Sequence, residues 1–157
     1  MIIEKQSLEN VLLIKPEIFK DERGYFFETY RDSTFKDNNL NIKFVQDNEV
    51  FSKNENVIRG LHYQLNNPQG KLIHVINGAI IDVIVDIRRG SPDFGKSIML
   101  SINSDTHNMV YVPEGFAHGF CGLDKENYLL YSCSNYRDKK AEIGIKWNDK
   151  DLKIKWP

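Results

Sequence analysis

Arg59 and His62 stand three residues apart in Val57-Ile58-Arg59-Gly60-Leu61-His62-Tyr63-Gln64, a segment otherwise made of strand-forming residues. In a regular strand side chains alternate faces, so the guanidinium and the imidazole would point opposite ways. Gly60 between them admits a bulge, which resets the alternation and turns both side chains inward. A fixed cation and a titratable base aimed into one cavity suit an anionic substrate that gives up a proton. The competing reading is an edge strand carrying two solvated polar residues.

Lys71 and Asp82 form a second pair with chemical potential. Asn77-Gly78 lies midway between them and has the composition of a two-residue type I′ hairpin turn. Such a turn pairs Ile76 with Ala79 and fixes the register back from there. Lys71, Ile73, Val75, Ile80, Asp82 and Ile84 then share one face, and Leu72, His74, Ile76, Ala79, Ile81 and Val83 the other. Lys71 and Asp82 become diagonal neighbours about 7–8 Å apart, where the carboxylate can hold the ammonium in place and keep it charged. Burying such charges is costly unless they are paired. An ion pair at a barrel mouth, with no part in chemistry, is the alternative.

The elements that must position these groups are short apolar runs cut by turn residues, the pattern of an all-β sandwich or barrel. Strands are expected over 11–14, 24–30, 44–51, 57–64, 71–76, 80–87, 98–102, 109–112, 117–121 and 128–134. Residues 32–39 read as a helix, with Asp32 or Ser33 as its cap and Asn38-Asn39 as its stop. The fold class is therefore all-β, a double-sheet jelly roll with one or two short peripheral helices. Tyr131, in Tyr128-Leu129-Leu130-Tyr131, reads on its own as a core aromatic. His74 falls on the face opposite Lys71 and reads as structural, and His107, between Asp105 and Asn108, as a solvated loop residue.

At 157 residues the chain fits one domain, 1–157, able to bury a real core. A net charge of −1 provides no global attraction to nucleic acid or an anionic membrane, so phosphate binding must come from a local cluster. No run approaches the roughly 20 apolar residues of a membrane span, and the opening Met1-Ile2-Ile3-Glu4-Lys5 is too short for a signal peptide. Cys121 and Cys133 have no metal-binding spacing and suit a reduced, cytoplasmic pair.

Several segments in fixed order carry a resemblance: Asp21-Glu22-Arg23-Gly24-Tyr25-Phe26-Phe27-Glu28, Val45-Gln46-Asp47-Asn48, Ile58-Arg59-Gly60-Leu61-His62-Tyr63-Gln64, Gly70-Lys71-Leu72, residues 82–88, residues 91–95, Pro113-Glu114-Gly115-Phe116-Ala117-His118-Gly119-Phe120 and Trp147-Asn148-Asp149. Together, from about residue 10 onward, the chain resembles the dTDP-4-dehydrorhamnose 3,5-epimerase family. The resemblance implies a cupin-type jelly roll, a homodimer, and action without metal or redox cofactor on a nucleotide-linked 4-keto-6-deoxy sugar, in deoxysugar biosynthesis for surface polysaccharide. By family position His62 is the general base, Tyr131 the acid on the opposite sugar face, and Lys71 and His118 contacts of the sugar and its developing oxyanion. Arg23, Glu28, Gln46, Asn48, Arg59 and Glu142 fall at substrate- and nucleotide-binding positions, with Arg23 and Glu28 on a strand that crosses to the partner subunit.

The residue types fit that chemistry. A ketone at C4 acidifies the hydrogens at C3 and C5, because the carbanion formed is an enolate. Histidine, with an ordinary pKa of about 6.5, is largely neutral at neutral pH and can take the proton, while a phenol stays protonated and can return one. Lysine places positive charge where the enolate forms. Arg23 and Arg59 match diphosphate oxygens with bidentate forks.

Two departures from the family pattern stand out. The family pairs its catalytic histidine with an aspartate beyond a Trp-Pro, and this sequence ends at Trp156-Pro157, so the usual C-terminal extension is expected to be lacking. Arg137 follows Asn135-Tyr136 where the family has an aromatic that stacks on thymine; arginine can stack and also meet a guanine acceptor, which makes a GDP-linked sugar or heptose an alternative to a dTDP-linked one. Other readings are C3-only epimerisation, a 3,4-ketoisomerase on the same fold, an inactive sugar-nucleotide-binding module, and a metal-dependent cupin. The last needs a His-x-His cluster, and here the segment reads His62-Tyr63-Gln64.

Overall fold

The alternation of apolar residues that marks the strands also decides which layer each one enters. A computed structural model describes residues 1–157. The strands are β1 (Ile2–Lys5), β2 (Leu12–Lys15), β3 (Phe19–Asp21), β4 (Gly24–Phe26), β5 (Gln46–Ser52), β6 (Ile58–Gln64), β7 (Lys71–Asn77), β8 (Ala79–Asp86), β9 (Ser97–Asn103), β10 (Met109–Val112), β11 (Phe116–Gly122), β12 (Asn127–Cys133) and β13 (Glu142–Gly144), with one helix, α1 (Asp32–Asp37). They form a six-stranded sheet ordered β1-β2-β10-β7-β12-β5, a five-stranded sheet ordered β13-β6-β11-β8-β9, and the separate hairpin β3-β4. This is the expected all-β jelly roll. No helix is long and apolar enough to cross a membrane.

The main core lies between the two sheets. Ile73, Val75, Val110 and Leu129 come from one sheet, and Ile80, Ile84, Ile102 and Phe120 from the other. The intervening residues face outward and are covered as well. Leu72, Met109 and Tyr111 pack with Phe35 of α1, together with Tyr30 and Phe44. Leu61, Val83 and Val85 pack under Ile145, Leu152, Ile154 and Trp156. Each sheet is therefore buried on both faces, which is why many strands read as continuous apolar runs rather than as clean alternation.

The Asn77-Gly78 hairpin does not form. β7 pairs with β10 and β12, β8 pairs with β9 and β11, and neither strand has a free edge for the other. The turn instead carries the chain from one sheet to the other. Only Gly78 has positive φ, +89°, whereas a type I′ turn requires it at both central residues. The turn is clamped from the side: Asn77 Nδ2 donates to the Glu126 carbonyl (3.1 Å), and Ala79 N to Asn127 Oδ1 (3.1 Å). The face shared by Lys71, Ile73, Val75, Ile80, Asp82 and Ile84 survives, because both rows point into the interior. The two rows meet across the sandwich rather than side by side. Leu72 and Val83, expected on one face, sit on opposite outsides of the molecule.

Smaller differences concern ends. The strand expected over 24–30 stops at Phe26, since its partner β3 is only three residues long. β1 and β13 are short strands at the edges of the two sheets, too brief to carry a periodic signal. The helix cap is Arg31, without a side-chain cap hydrogen bond, rather than Asp32 or Ser33. Asp32 instead pairs with Lys36 one turn on (2.6 Å).

Candidate active site

The bulge expected at Gly60 is present. Against β11, His118 pairs with His62 and Phe120 with Arg59, so two steps on one strand face three on the other. Gly60 sits at φ +106°, and a Cβ there would lie 2.6 Å from both the Gly119 Cα and the His118 carbonyl oxygen. Only glycine suits that backbone and that approach. Leu61 turns to the outer layer and is fully buried, while Arg59 and His62 both line one cavity of about 530 Å³.

The facing sheet supplies Lys71 from β7, Tyr131 from β12 and Asn48 from β5 to the same cavity. Tyr131 lies between Asn48 and Ile73 in adjacent strands. Imidazole and phenol thus enter from opposite sheets. His118, Arg137 and Glu142 complete the polar lining.

Each group is tuned by what surrounds it. Partial burial draws the half-exposed His62 below the ordinary histidine range; Glu142 opposes this, while Lys71, His118 and Arg137 add to it. The neutral, proton-accepting form is favoured as a result. Burial raises the Tyr131 phenol and keeps it protonated. Burial likewise draws Lys71 down, opposed by Cys133, Glu142 and Asp82. Glu142 is held below the usual carboxylate range chiefly by its hydrogen bond from Arg137 Nε (2.7 Å).

Asp82 does not hold Lys71. It is fully buried, and its Oδ1 lies 2.5 Å from His118 Nε2, while Oδ2 has no partner. The register explains the choice: Asp82 pairs with Phe120 and His118 with Ile84, so Asp82 and His118 are diagonal neighbours in one sheet, whereas Lys71 belongs to the other. Asp82 therefore fixes the His118 ring.

Arg59 is anchored from β5, donating through Nε to Ser52 Oγ (3.1 Å) and through Nη2 to the Phe51 carbonyl (2.9 Å). Gln46 stands just behind the lining, donating to Asn48 Oδ1 (2.7 Å) and accepting from the Arg137 backbone N–H (3.0 Å). Arg23 and Glu28 do not reach the cavity of their own chain. Arg23 is exposed and paired with Asp21, and Glu28 with Arg31.

Sequence reasoning missed Gln64 and Gln69. The buried Gln64 amide donates to the carbonyls of Asn67 (2.6 Å) and Tyr136 (3.0 Å) and accepts from the Asp138 N–H (2.8 Å), so it pins the loop that presents Arg137. Gln69 lines the cavity and ties to the Asn135 carbonyl (2.8 Å). Nothing local in sequence marks either one, because both act on backbone far along the chain. His107 is also not the solvated loop residue expected: it is buried, 4.7 Å from the rings of both Tyr25 and Phe27. No three His, Cys, Asp or Glu side chains converge into a metal-binding group.

Lys71, Arg59 and Arg137 give the cavity a local excess of positive charge in a chain of net charge −1. Such a site can bind an anion, take a proton from carbon, and stabilise the negative charge left behind.

Residues 5–157 match the family model described as dTDP-4-dehydrorhamnose 3,5-epimerase. The chain is 43% identical over 153 residues to the dTDP-4-dehydrorhamnose 3,5-epimerase of Methanothermobacter thermautotrophicus, covering 98% of this chain and 82% of that protein. It superimposes on the crystal structure of the Bacillus anthracis enzyme of that name with TDP and pyrophosphate bound, with a TM-score of 0.97 at 39% identity over 99% of this chain and 90% of that one. Against the Legionella pneumophila dTDP-6-deoxy-D-glucose-3,5-epimerase in complex with dTDP-4-keto-L-rhamnose, the TM-score is 0.96 at 37% identity over 99% of this chain and 83% of that one.

Proposed function

The chain belongs to the dTDP-4-dehydrorhamnose 3,5-epimerase family, and we propose that it inverts C3 and C5 of a dTDP-linked 4-keto-6-deoxy sugar by proton abstraction and return through an enolate. The observation that carries this reading is the entry of His62 and Tyr131 into one cavity from opposite sheets, with Lys71 beside them. A sugar ring held between the sheets presents one face to each side chain. His62 takes the proton from one face. Charge moves to the C4 oxygen, which Lys71 and His118 stabilise. Tyr131 delivers a proton to the other face, and the stereocentre is inverted. Arg59 and Arg137 hold the diphosphate, and Asn48, Gln46 and Glu142 fix the ligand and the loop around it.

A base without an opposed acid would suit a 3,4-ketoisomerase better, and the position of Tyr131 favours epimerisation. The ligands bound to the relatives favour a dTDP carrier over a GDP one. Arg137 already donates its Nε to Glu142, which supports a phosphate role for its remaining donors rather than guanine readout. Arg23 and Glu28 complete the site in a second copy of this chain, a homodimer reading supported by the exposed Phe19, Tyr25 and Phe26 of the β3–β4 hairpin that holds Arg23.

Incubation with dTDP-4-keto-6-deoxyglucose in heavy water, followed by NMR, tests the assignment. Deuterium at C3 and C5 with inversion at both is expected. Exchange at neither carbon overturns the reading; exchange at C3 alone reduces it to a monoepimerase. Binding of GDP in preference to dTDP would overturn the assignment of the carrier.

A further inference from the structure

We propose that Cys133 is a positioning residue of the site: its thiol holds the Asn48 amide in the cavity wall and gives Lys71 an uncharged neighbour, so the ammonium stays free for the C4 oxygen. The proposal rests on the reading of Lys71 as the group that stabilises the enolate. Cys133 closes the inward row of β12, next after Tyr131 on that face, and is 1% exposed. The register places it directly opposite Lys71 on β7 and Gln46 on β5. Side chains opposed in that way have Cβ atoms about 4.5–5.5 Å apart on one face. The Cys133 Sγ accepts a hydrogen bond from Asn48 Nδ2 at 3.4 Å. At the other end of the same amide, Oδ1 accepts from Gln46 Nε2 (2.7 Å), and Gln46 Oε1 accepts from the Arg137 N–H (3.0 Å). A chain of bonds thus runs from the Arg137 loop through Gln46 and Asn48 to the thiol beside Lys71. The Asn48 amide is held at both its oxygen and its nitrogen, and its second Nδ2 hydrogen remains for a ligand.

A thiol suits the place next to Lys71 because it adds no charge. A carboxylate there would pair with the ammonium and compete with the negative charge that develops on the C4 oxygen. The two carboxylates that act on Lys71 are engaged elsewhere: Asp82 bonds His118 (2.5 Å), and Glu142 accepts from Arg137 Nε (2.7 Å). Burial pushes the Cys133 thiol up, against the opposing charge of Lys71, and so keeps it protonated. A buried, protonated thiol is not a nucleophile. Cys133 therefore acts through Asn48 and Lys71 and not on the substrate. Cys121, the other free cysteine, stands opposite Ile58 and Ile81 and has no polar side chain to position.

Steady-state epimerisation of dTDP-4-keto-6-deoxyglucose by three variants tests this, with dTDP affinity measured by calorimetry alongside. Cys133→Val keeps the volume and removes the acceptor, so KM should rise about fivefold, the worth of one hydrogen bond, with kcat little changed. Cys133→Ser restores a neutral acceptor and should recover most of that loss. Cys133→Asp should lower kcat by about 10²-fold, as the loss of one oxyanion donor does, with dTDP affinity retained. A Cys133→Val protein with unaltered KM, or a Cys133→Ser protein impaired as much as Cys133→Val, would overturn the role toward Asn48. A Cys133→Asp protein with unaltered kcat would overturn the role toward Lys71. If that protein does not fold, the two neutral variants decide the point: a kcat that falls in both would overturn it, since the thiol itself would then take part in the chemistry. A Lys71→Met protein with unaltered kcat would instead count against the reading of Lys71.

Discussion

Lowering the pH from 7 to 4 should destabilise this protein by about 3 kcal/mol through one side chain, His74, and His74→Met should remove that loss. His74 is 7% exposed, and neither ring nitrogen has a hydrogen-bond partner. Phe27 meets its ring edge-on at 5.6 Å, and His107 lies 6.2 Å away. Burial, helped by His107, pushes its pKa down to about 4. In the unfolded chain the same ring titrates near 6.5. Between those two values the unfolded state binds a proton that the folded state refuses, so stability falls as pH falls through that window. The difference between 6.5 and 4, at about 1.36 kcal/mol per pH unit, sets a ceiling of about 3.4 kcal/mol, of which about 3 is lost by pH 4, where the folded ring is half titrated. Methionine fills a similar volume and removes two unpaired polar atoms, so the variant should be no less stable at pH 7. Urea unfolding followed by the fluorescence of Trp147 and Trp156, at intervals from pH 7 to 4, measures both proteins. The carboxylates of Glu142 and Asp86, held low by their arginine partners, begin to act only below about pH 4 and affect both proteins alike. Curves that fall in parallel from pH 6.5 would refute the reasoning.

Three further outcomes are expected. His62→Ala should slow solvent exchange at the sugar carbons by about 10²–10⁴-fold, read by NMR, with dTDP affinity largely retained. Tyr131→Phe should lose inversion more than exchange, because the base can return its own proton; equal loss of both would remove the acid from the scheme. Gly60→Ala should cost about 2–4 kcal/mol in urea unfolding, since its Cβ would stand 2.6 Å from backbone atoms at a φ of +106°.

The bulge was legible in sequence because glycine between two polar residues in a strand-forming run has few other uses. The inward row of Lys71, Ile73 and Val75 was legible from period-two alternation, and so was that of Ile80, Asp82 and Ile84. The pairing of those rows was not. Turn composition at Asn77-Gly78 describes four residues, whereas the partner of β7 is decided by which strands occupy its edges, and β10 and β12 lie about 35 to 60 residues further on. The Lys71–Asp82 ion pair depends on that ladder, and without it Asp82 bonds His118 in its own sheet while Lys71 stands in the other. His107 misled for a related reason. Polar neighbours in sequence suggested solvent, but Tyr25 and Phe27, some 80 residues earlier, close over it.

The site follows from the same alternation that builds the core. Lys71 continues the inward row of Ile73 and Val75, Tyr131 that of Leu129, and Asp82 lies between Ile80 and Ile84. Lys71, Tyr131 and Asp82 are thus core positions at one end of the sandwich, where polar side chains replace apolar ones and the sheets leave room for a ligand. Packed sheets stand about 10 Å apart, enough for a sugar ring between inward-pointing side chains. Inversion needs a base on one face of the ring and an acid on the other, and two groups on one strand or one sheet would approach the same face. A two-sheet fold meets that need once each sheet contributes one of them. Burial then favours the protonation states such chemistry needs: that of Tyr131 keeps the phenol protonated, and the partial burial of the half-exposed His62 favours the neutral imidazole.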